Sequence, residues 1–129
     1  RVVGDRFVFQ SEVLFPSGQA QMTPEGLAAL DQLASAIVDL DRQIPKEIDW
    51  ALQVDGHTDA RPIASTLFPS NWELSTARAV SVVKYLVSRG VSANRLVAAG
   101  YGEFQPLEAG AADDVLRRNR RIELKLTNR

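Results

Sequence analysis

The chain has 129 residues, of which 45% are hydrophobic and 24% are charged, and its formal net charge is -1. This length suits one domain, and the ordinary apolar fraction with nearly balanced charge excludes intrinsic disorder. The absence of cysteine excludes disulfides and thiolate metal sites, and the near-neutral charge argues against nucleic acid as a partner. No apolar run reaches the ~20 residues that span a bilayer, and no signal peptide opens the chain. Because the sequence starts at Arg1 without a methionine, we expect a fragment of a longer protein, with residues 1–6 a linker remnant.

The first predicted elements are a strand over residues 6–10 and a helix. Phenylalanines alternate with more polar neighbours in the strand, and the turn-rich segment 15–18 follows it. The helix begins at Pro24, because Thr23 can cap it and proline suits the first helical position. Pro45 limits its length. Its apolar residues recur at helical spacing and are Leu27, Leu30, Leu33, Ala34, Ile37 and Val38.

A second strand and a second helix follow, separated by a loop that contains prolines. Apolar and polar side chains alternate over residues 50–55, and we expect Gly56 to end this strand. The helix begins near Ser70, which has Glu73 three residues later in the spacing of a capping box, or near Ser75 if the first turn is irregular. Its apolar stripe, which stops before Gly90, comprises Ala79, Val80, Val83, Leu86 and Val87.

The last part of the chain predicts two further strands, over residues 95–99 and 121–127, with an irregular segment between them. In the last strand Ile122, Leu124 and Leu126 alternate strictly with polar residues. Strands covered on both faces would read as continuous apolar runs, so both helices should cover the same face of the sheet. The order β-α-β-α-β-β predicts a two-layer α/β sandwich with a mixed sheet, whose other face is relatively wet.

The densest polar cluster is Asp55-Gly56-His57-Thr58-Asp59, at the carboxyl end of the second strand. Ligands of open α/β sheets bind at such strand ends, next to helix amino termini. The alternatives are an acidic loop that only turns the backbone, a metal site of His57 with Asp55 and Asp59, and a hydrolase using Ser65, Ser70 or Ser75. The metal site lacks a second histidine or cysteine, and none of the serines stands in a nucleophile-elbow sequence. His57 is therefore interpreted as a hydrogen-bonded structural residue.

Arginines form the other polar features. On a helical wheel Arg78 lies away from the apolar stripe, so we expect it not to face the core. A cation near a helix start opposes the helix dipole, which raises the question of what it serves. If Arg78 meets Asp59, the two form a split site that suits a zwitterion, or they simply pair with each other. The basic run Arg117, Arg118, Arg120 and Arg121 has acidic neighbours and does not indicate nucleic-acid binding.

Four separated motifs together resemble the OmpA-like peptidoglycan-binding domain, over essentially the whole chain from Phe7 onward. They are Val54-Asp55-Gly56-His57-Thr58-Asp59, Asn71-Trp72-Glu73-Leu74-Ser75-Thr76-Ala77-Arg78-Ala79, Gly100-Tyr101-Gly102-Glu103-Phe104-Gln105-Pro106-Leu107 and Asn119-Arg120-Arg121-Ile122-Glu123. The segment 70–75, with a proline-containing loop after Asp59, is similar to the MotB branch, the stator proteins of flagellar motors. Lipoproteins of the Pal type usually carry a different loop there.

The resemblance implies non-covalent binding of the peptide stem of peptidoglycan through diaminopimelate, without cofactor, metal or catalysis. Asp59 matches the aspartate that takes the ammonium, and Arg78 matches the arginine that takes the carboxylate. Leu74 matches a leucine that lines the pocket, and Phe15 lies in the loop that usually forms one wall. Thr58 and Arg121 are expected as wall or support residues.

The resemblance also implies a periplasmic domain of a membrane protein, anchored in the inner rather than the outer membrane. A homodimer and a MotA-like partner of the full-length protein are further implications. The stretch 39–49 lengthens the link from the first helix to the second strand, and the loop 60–69 is longer than in the Pal type. A Pal- or OmpA-type outer-membrane anchor, a wall-remodelling hydrolase and a pure dimerisation or scaffold module are the alternatives.

Overall fold

The structure is a computed structural model that describes residues 2–3, 6–63 and 65–128. Its strands are β1 (Val2–Val3), β2 (Arg6–Gln10), β3 (Trp50–His57), β4 (Leu96–Gly100) and β5 (Arg121–Asn128). Its helices are α1 (Ser11–Leu14), α2 (Pro24–Gln43), α3 (Asn71–Ser88) and α4 (Asp113–Asn119), and a 3-10 turn spans Ala93–Arg95. None of the helices described has both the length and the hydropathy needed to cross a membrane.

The strands form one sheet in the order β1-β2-β5-β3-β4, and its mixture of parallel and antiparallel pairs confirms the predicted mixed sheet. β5 lies in the middle and is antiparallel to both β2 and β3, whereas β4 is parallel to β3. β1 pairs with the start of β2, so part of the segment 1–6, predicted as a linker remnant, continues the sheet. Positions 1, 4 and 5 of that segment lie outside the described residues.

The apolar core lies between one face of the sheet and the two long helices. Its buried side chains come from β3 and β5 on one side and from α2 and α3 on the other, and include Leu52, Val54, Ile122, Leu124, Leu30, Ala34, Ile37, Ala79, Val82 and Leu86. Burying a side chain of leucine or valine size contributes roughly 1.5–3 kcal/mol. Both long helices therefore cover the same face of the sheet, which confirms the two-layer prediction.

Both long helices begin where their capping residues predict. The Thr23 hydroxyl accepts a hydrogen bond from the Gly26 N–H at 3.0 Å, at the start of α2. The Ser70 hydroxyl accepts from the Trp72 N–H at 3.2 Å and donates to the Glu73 carboxylate, at the start of α3. The cap of α3 sets its first turn beside the carboxyl end of β3.

Three local elements differ from the predictions. No helix is predicted over residues 11–14 or 113–119, where α1 and α4 lie, and β3 is predicted to end at Gly56. Instead, β3 continues to His57 and pairs with both neighbouring strands on the way. A Cβ on Gly56 would lie 2.1 Å from the Ser75 carbonyl oxygen, and one on Gly100 would lie 2.0 Å from the Thr76 hydroxyl. These glycines let α3 approach the sheet closely, which is a different role from ending a strand.

The second face of the sheet is drier than predicted at the carboxyl end of β3. His57, Arg121 and Glu123 lie on this face and are all buried. The segment after β4 covers them: the Tyr101 ring stacks on His57 with centroids 4.9 Å apart, and Arg121 donates to the Gln105 carbonyl at 2.8 Å. A loop, and not a helical layer, therefore shields the polar end of this face.

Candidate functional site

A cavity of about 400 Å³ opens at the carboxyl end of β3, beside the first turns of α3. Most of the residues predicted for the site line it, namely Phe15, Thr58, Asp59, Leu74 and Arg78. The other lining residues come from α1, the loops that follow α1 and β3, the start of α3 and the end of α4, and are Ser11, Glu12, Ser17, Gly18, Arg61, Pro62, Ile63, Asn71 and Arg120. Segments far apart in the chain therefore converge on one concave site.

Asp59 supplies a buried carboxylate to the cavity. Its Oδ1 accepts a hydrogen bond from the Arg61 N–H at 2.9 Å, and its Oδ2 accepts one from Arg120 Nη1 at 2.6 Å. The Asn71 side chain donates to the Arg61 carbonyl at 2.9 Å and so holds the loop that carries Asp59. Because each carboxylate oxygen can accept two hydrogen bonds, Asp59 keeps capacity for a ligand ammonium.

Arg78 lies away from the apolar core, as the helical wheel predicts, but it is buried, with only 5% of its surface exposed. Its guanidinium lies over the Phe15 ring, 5.1 Å from the centroid, and donates to the carbonyls of Gln19 at 2.7 Å and Pro16 at 3.2 Å. The long side chain carries the charge beyond α3 to the segment 15–19, where these groups replace water. Burial lowers the pKa of Arg78 to about 10, so the group stays cationic at neutral pH.

The Arg78 guanidinium keeps capacity for a carboxylate. A guanidinium has five N–H donors, and the hydrogen bonds to Gln19 and Pro16 use two of them. Within the described part of the chain, Arg78 and Asp59 do not form an ion pair with each other. They face the same cavity as separate positive and negative groups, and the alternative in which they only neutralise each other is not what the structure shows.

Three charged residues of the cavity, Glu12, Arg61 and Arg120, were not predicted from the sequence. Nε and Nη2 of Arg120 donate to Oε1 of Glu12 at 3.0 and 2.7 Å, while its Nη1 holds Asp59. Burial alone would lower the pKa of Arg120, but its hydrogen bonds to Asp59 and Glu12 outweigh this effect and raise the pKa. The basic run 117–121 was the sequence signal, and only the tertiary fold shows that one of its arginines meets Asp59.

Arg121 does not line the cavity, so of the two roles predicted for it, wall or support, the wall role is wrong. Alternation along β5 places its side chain on the second face of the sheet, where Nε donates to Glu123 at 2.5 Å. Its other nitrogens donate to the carbonyls of Asn119 at 3.0 Å and Gln105 at 2.8 Å. Arg121 therefore holds the segment after β4 in place.

His57 also lies outside the cavity lining. It is 6% exposed, and neither ring nitrogen has a hydrogen-bond partner among the described residues, so the prediction of a hydrogen-bonded histidine is wrong. Stacking on Tyr101 holds the ring instead. Burial, with a smaller contribution from the Arg121 charge, lowers the pKa of His57 to about 4. The imidazole is therefore neutral at pH 7.

The metal alternative requires His57 beside Asp55 and Asp59, but the structure groups His57 and Asp55 with Glu123 instead. The Asp55 carboxylate accepts a hydrogen bond from Gln53 at 2.8 Å. Two arginines donate to the Glu123 carboxylate, and these bonds hold its pKa low although burial alone would raise it. The charge of Glu123 is thus balanced by side chains of the protein itself.

The hydrolase alternative requires a serine hydroxyl beside His57. The candidate hydroxyls donate elsewhere: Ser65 to the Phe68 carbonyl, Ser70 to the Glu73 carboxylate and Ser75 to the Trp72 carbonyl. Since the His57 nitrogens have no partner among the described residues, none of these serines is activated by the imidazole in this structure.

Comparison with known sequences gives consistent matches over most of the chain. The OmpA family matches residues 14–120. The chain is 36% identical over 118 residues to the uncharacterized protein YtxE of Bacillus subtilis (strain 168), covering 91% of this chain and 46% of YtxE. It is 40% identical over 129 residues to outer membrane protein A of Escherichia fergusonii, covering 93% and 49% of the two chains. The chain thus spans about half the length of these curated relatives.

Comparison with solved structures gives the same fold. The chain is similar to a putative MotB like protein from Desulfovibrio vulgaris, with a TM-score of 0.84 and 30% identity over 96% of this chain and 75% of the other. It is also similar to the cell wall anchor of the T6SS from Pseudomonas aeruginosa, with a TM-score of 0.79 and 31% identity over 95% and 80%. These similarities confirm the predicted fold class.

Proposed function

The chain belongs to the OmpA family, and from this premise we propose that it binds peptidoglycan non-covalently and anchors a membrane protein to the cell wall. The observation that carries the proposal is the shared cavity of Asp59 and Arg78. A buried carboxylate and a buried guanidinium with free hydrogen-bonding capacity suit a ligand whose tip carries both charges. Diaminopimelate in the peptide stem has such a tip, with an ammonium and a carboxylate on one carbon.

In the proposed complex Asp59 accepts the ammonium and Arg78 donates to the carboxylate. Leu74 and Phe15, which line the cavity, pack against the aliphatic part of the diaminopimelate, and Thr58 forms part of the wall. Each charge-assisted hydrogen bond contributes roughly 1.5–3 kcal/mol. A single stem is therefore expected to bind weakly, and no step of the proposal requires a reaction at the ligand.

Two structural relatives support a MotB-like anchoring role, since one is a putative MotB like protein and the other is the cell wall anchor of the T6SS. We therefore propose a periplasmic domain of an inner-membrane stator-type protein that acts as a homodimer with a MotA-like partner. The 40% identity to outer membrane protein A favours an outer-membrane anchor as the second candidate. Membrane fractionation of the full-length protein distinguishes the two candidates, because an inner-membrane protein is recovered in the inner-membrane fraction and an outer-membrane protein in the outer-membrane fraction.

Sedimentation with purified sacculi tests the site. The wild-type domain should co-sediment, while Asp59→Asn and Arg78→Gln should each reduce retention at least roughly tenfold, since each removes a charge-assisted contact. The exposed ion pair of α2, Arg42 with Asp39 at 3.8 Å, provides the matched controls Asp39→Asn and Arg42→Gln, which should bind like the wild type. Thermal unfolding of every variant checks that the fold is intact.

Equal retention of the wild type, Asp59→Asn and Arg78→Gln would remove this site assignment. Free meso-diaminopimelate should compete with sacculi for the wild type. The hydrolase alternative makes a different prediction, because incubation with sacculi would then release soluble muropeptides and His57→Ala would stop that release.

A further inference from the structure

The charges of the cavity sum to zero. Glu12 and Asp59 are negative and Arg78 and Arg120 are positive, and we call these four residues the charge quartet. Arg61 also lines the cavity, but its guanidinium pairs with Asp113 at 3.1 Å, so it adds no unbalanced charge. A neutral quartet in a partly desolvated site has a preference for ligands that are neutral overall and carry both signs.

Arg120 contacts both carboxylates of the quartet and still has N–H groups for a ligand. Two of its N–H groups hold Glu12 and one holds Asp59, which leaves two that no described residue accepts. Its side chain lines the cavity and is 27% exposed, so the guanidinium is partly open to a ligand. In the free protein this guanidinium hydrogen-bonds both carboxylates, balances one of their two negative charges, and keeps donors for an incoming anion.

We propose that Arg120 determines the specificity of the cavity for a ligand tip with one carboxylate and one ammonium, an inference that rests on the proposed function. A bare ammonium meets an Asp59 carboxylate that Arg120 already hydrogen-bonds, and it leaves the neutral quartet with one unbalanced positive charge, so it gains little. A ligand carboxylate beside that ammonium takes the free N–H groups of Arg120 and Arg78 and restores neutrality. Arg120 thus makes the carboxylate a requirement for binding.

Three synthetic stem tripeptides that differ only in the third residue test this role by calorimetric titration. The third residue is meso-diaminopimelate, L-lysine, which lacks the carboxylate, or L-2-aminopimelate, which lacks the ammonium. The wild-type domain should prefer the diaminopimelate peptide at least roughly tenfold over both others, because each analogue loses a charge-assisted contact and leaves the cavity charged.

Two variants should shift this preference in opposite directions. Arg120→Gln leaves the quartet negative, so its preference for diaminopimelate over lysine should fall below about threefold. Glu12→Gln leaves the quartet positive, so its preference for diaminopimelate over aminopimelate should fall instead, while lysine stays disfavoured. Glu12 lies at the exposed rim in α1, which makes its substitution compatible with folding and keeps the test informative if Arg120→Gln unfolds.

The controls separate charge from structure. Arg120→Lys keeps the positive charge without the planar fork and should retain most of the selectivity against lysine. Arg118 pairs with Glu108 at 2.5 Å outside the cavity lining, so Arg118→Gln should bind all the peptides like the wild type. If Arg120 had a purely structural role, Arg120→Gln would weaken the binding of all three peptides by the same factor.

The proposal is overturned if Arg120→Gln keeps the wild-type preference for diaminopimelate over lysine, or if its affinity for all three peptides falls by the same factor. It is also overturned if Arg120→Gln does not fold and Glu12→Gln shows no shift toward aminopimelate. In both of these outcomes, the proposed function is still supported if the wild-type domain prefers the diaminopimelate peptide. A wild type that binds none of the three peptides contradicts the proposed function and this inference together.

Discussion

At His57, burial of a single side chain links the stability of the protein to pH. The pKa of this imidazole is about 4 in the folded chain, below its ordinary value of 6.5. As pH falls, the unfolded chain takes up the proton first, so stability is complete above pH 6.5 and decreases between 6.5 and about 4. The loss amounts to at most about 3 kcal/mol. Urea unfolding of the wild type and His57→Gln between pH 7 and 4 measures it.

The comparison with His57→Gln isolates the histidine from the neighbouring carboxyl. Burial raises the pKa of Asp55, so this group opposes His57 and makes stability fall as pH rises. Both proteins contain Asp55, and its contribution cancels in their difference. Parallel stability curves for the two proteins would contradict the prediction, since a histidine that is protonated in the fold gives no such difference.

Single residues of the site were predictable when a motif carried them and unpredictable when only the fold assembled them. Asp59, Arg78 and Leu74 stand in motifs that resemble a family, and the structure brings them to one cavity. The burial of Arg78 was missed because a helical wheel treats a side chain as a point, whereas its guanidinium reaches the distant carbonyl groups of another segment. Arg120 lies 61 residues from Asp59, and no local pattern encodes their contact.

At the scale of elements, two glycines determine how closely α3 packs on the sheet. Gly56 and Gly100 are paired across β3 and β4, and a Cβ on Gly56 would lie 2.1 Å from the Ser75 carbonyl oxygen. Gly56→Ala should therefore push α3 from the sheet and destabilise the fold by at least about 2 kcal/mol, because backbone atoms have no rotamer by which to yield. Ala98→Val, at an exposed position of β4, is the control and should change stability little. Chemical denaturation gives both values.

The displacement of α3 should also weaken ligand binding, since this helix carries Leu74 and Arg78 into the cavity. A Gly56→Ala protein with wild-type stability and wild-type sacculus binding would contradict the close approach. If stability falls while binding to sacculi persists at low temperature, the helix recovers its position and the packing argument holds only for stability.

The long elements were predictable because their caps and periodicities extend over several turns. Thr23 and Ser70 cap α2 and α3 at the predicted positions. The four residues of α1 and the seven of α4 are too few to show a helical period, so they were missed. The extension of β3 through Gly56 was missed for another reason. The sequence does not distinguish a glycine that ends a strand from one that lets a helix pack closely against the strand.

At the scale of the whole molecule, the cavity lies far from the carboxyl end of β5. This distance allows two copies of the domain to be linked, which tests whether several weak sites together can anchor a protein. β5 ends at Asn128 beside Trp50, whereas its start at Arg121 pairs with His57 near the cavity. Eight strand residues separate these ends by roughly 23 Å, so a fusion at the carboxyl end leaves the cavity open. A flexible linker that leads from this end to the amino end of a second copy therefore leaves the cavity of the first copy open to the polymer.

Such a tandem protein should bind sacculi 10–100 times more tightly than the single domain, because the second contact becomes intramolecular at roughly millimolar effective concentration. Its affinity per domain for a free diaminopimelate tripeptide should stay unchanged, since no new contact is formed. Sedimentation with sacculi and calorimetry with the tripeptide measure the two quantities. A tandem with Asp59→Asn in one unit is the matched control and should return to single-domain binding. Equal sacculus binding by the single domain and the intact tandem would show that the wall presents stems too far apart for two cavities, and multivalent anchoring would then fail.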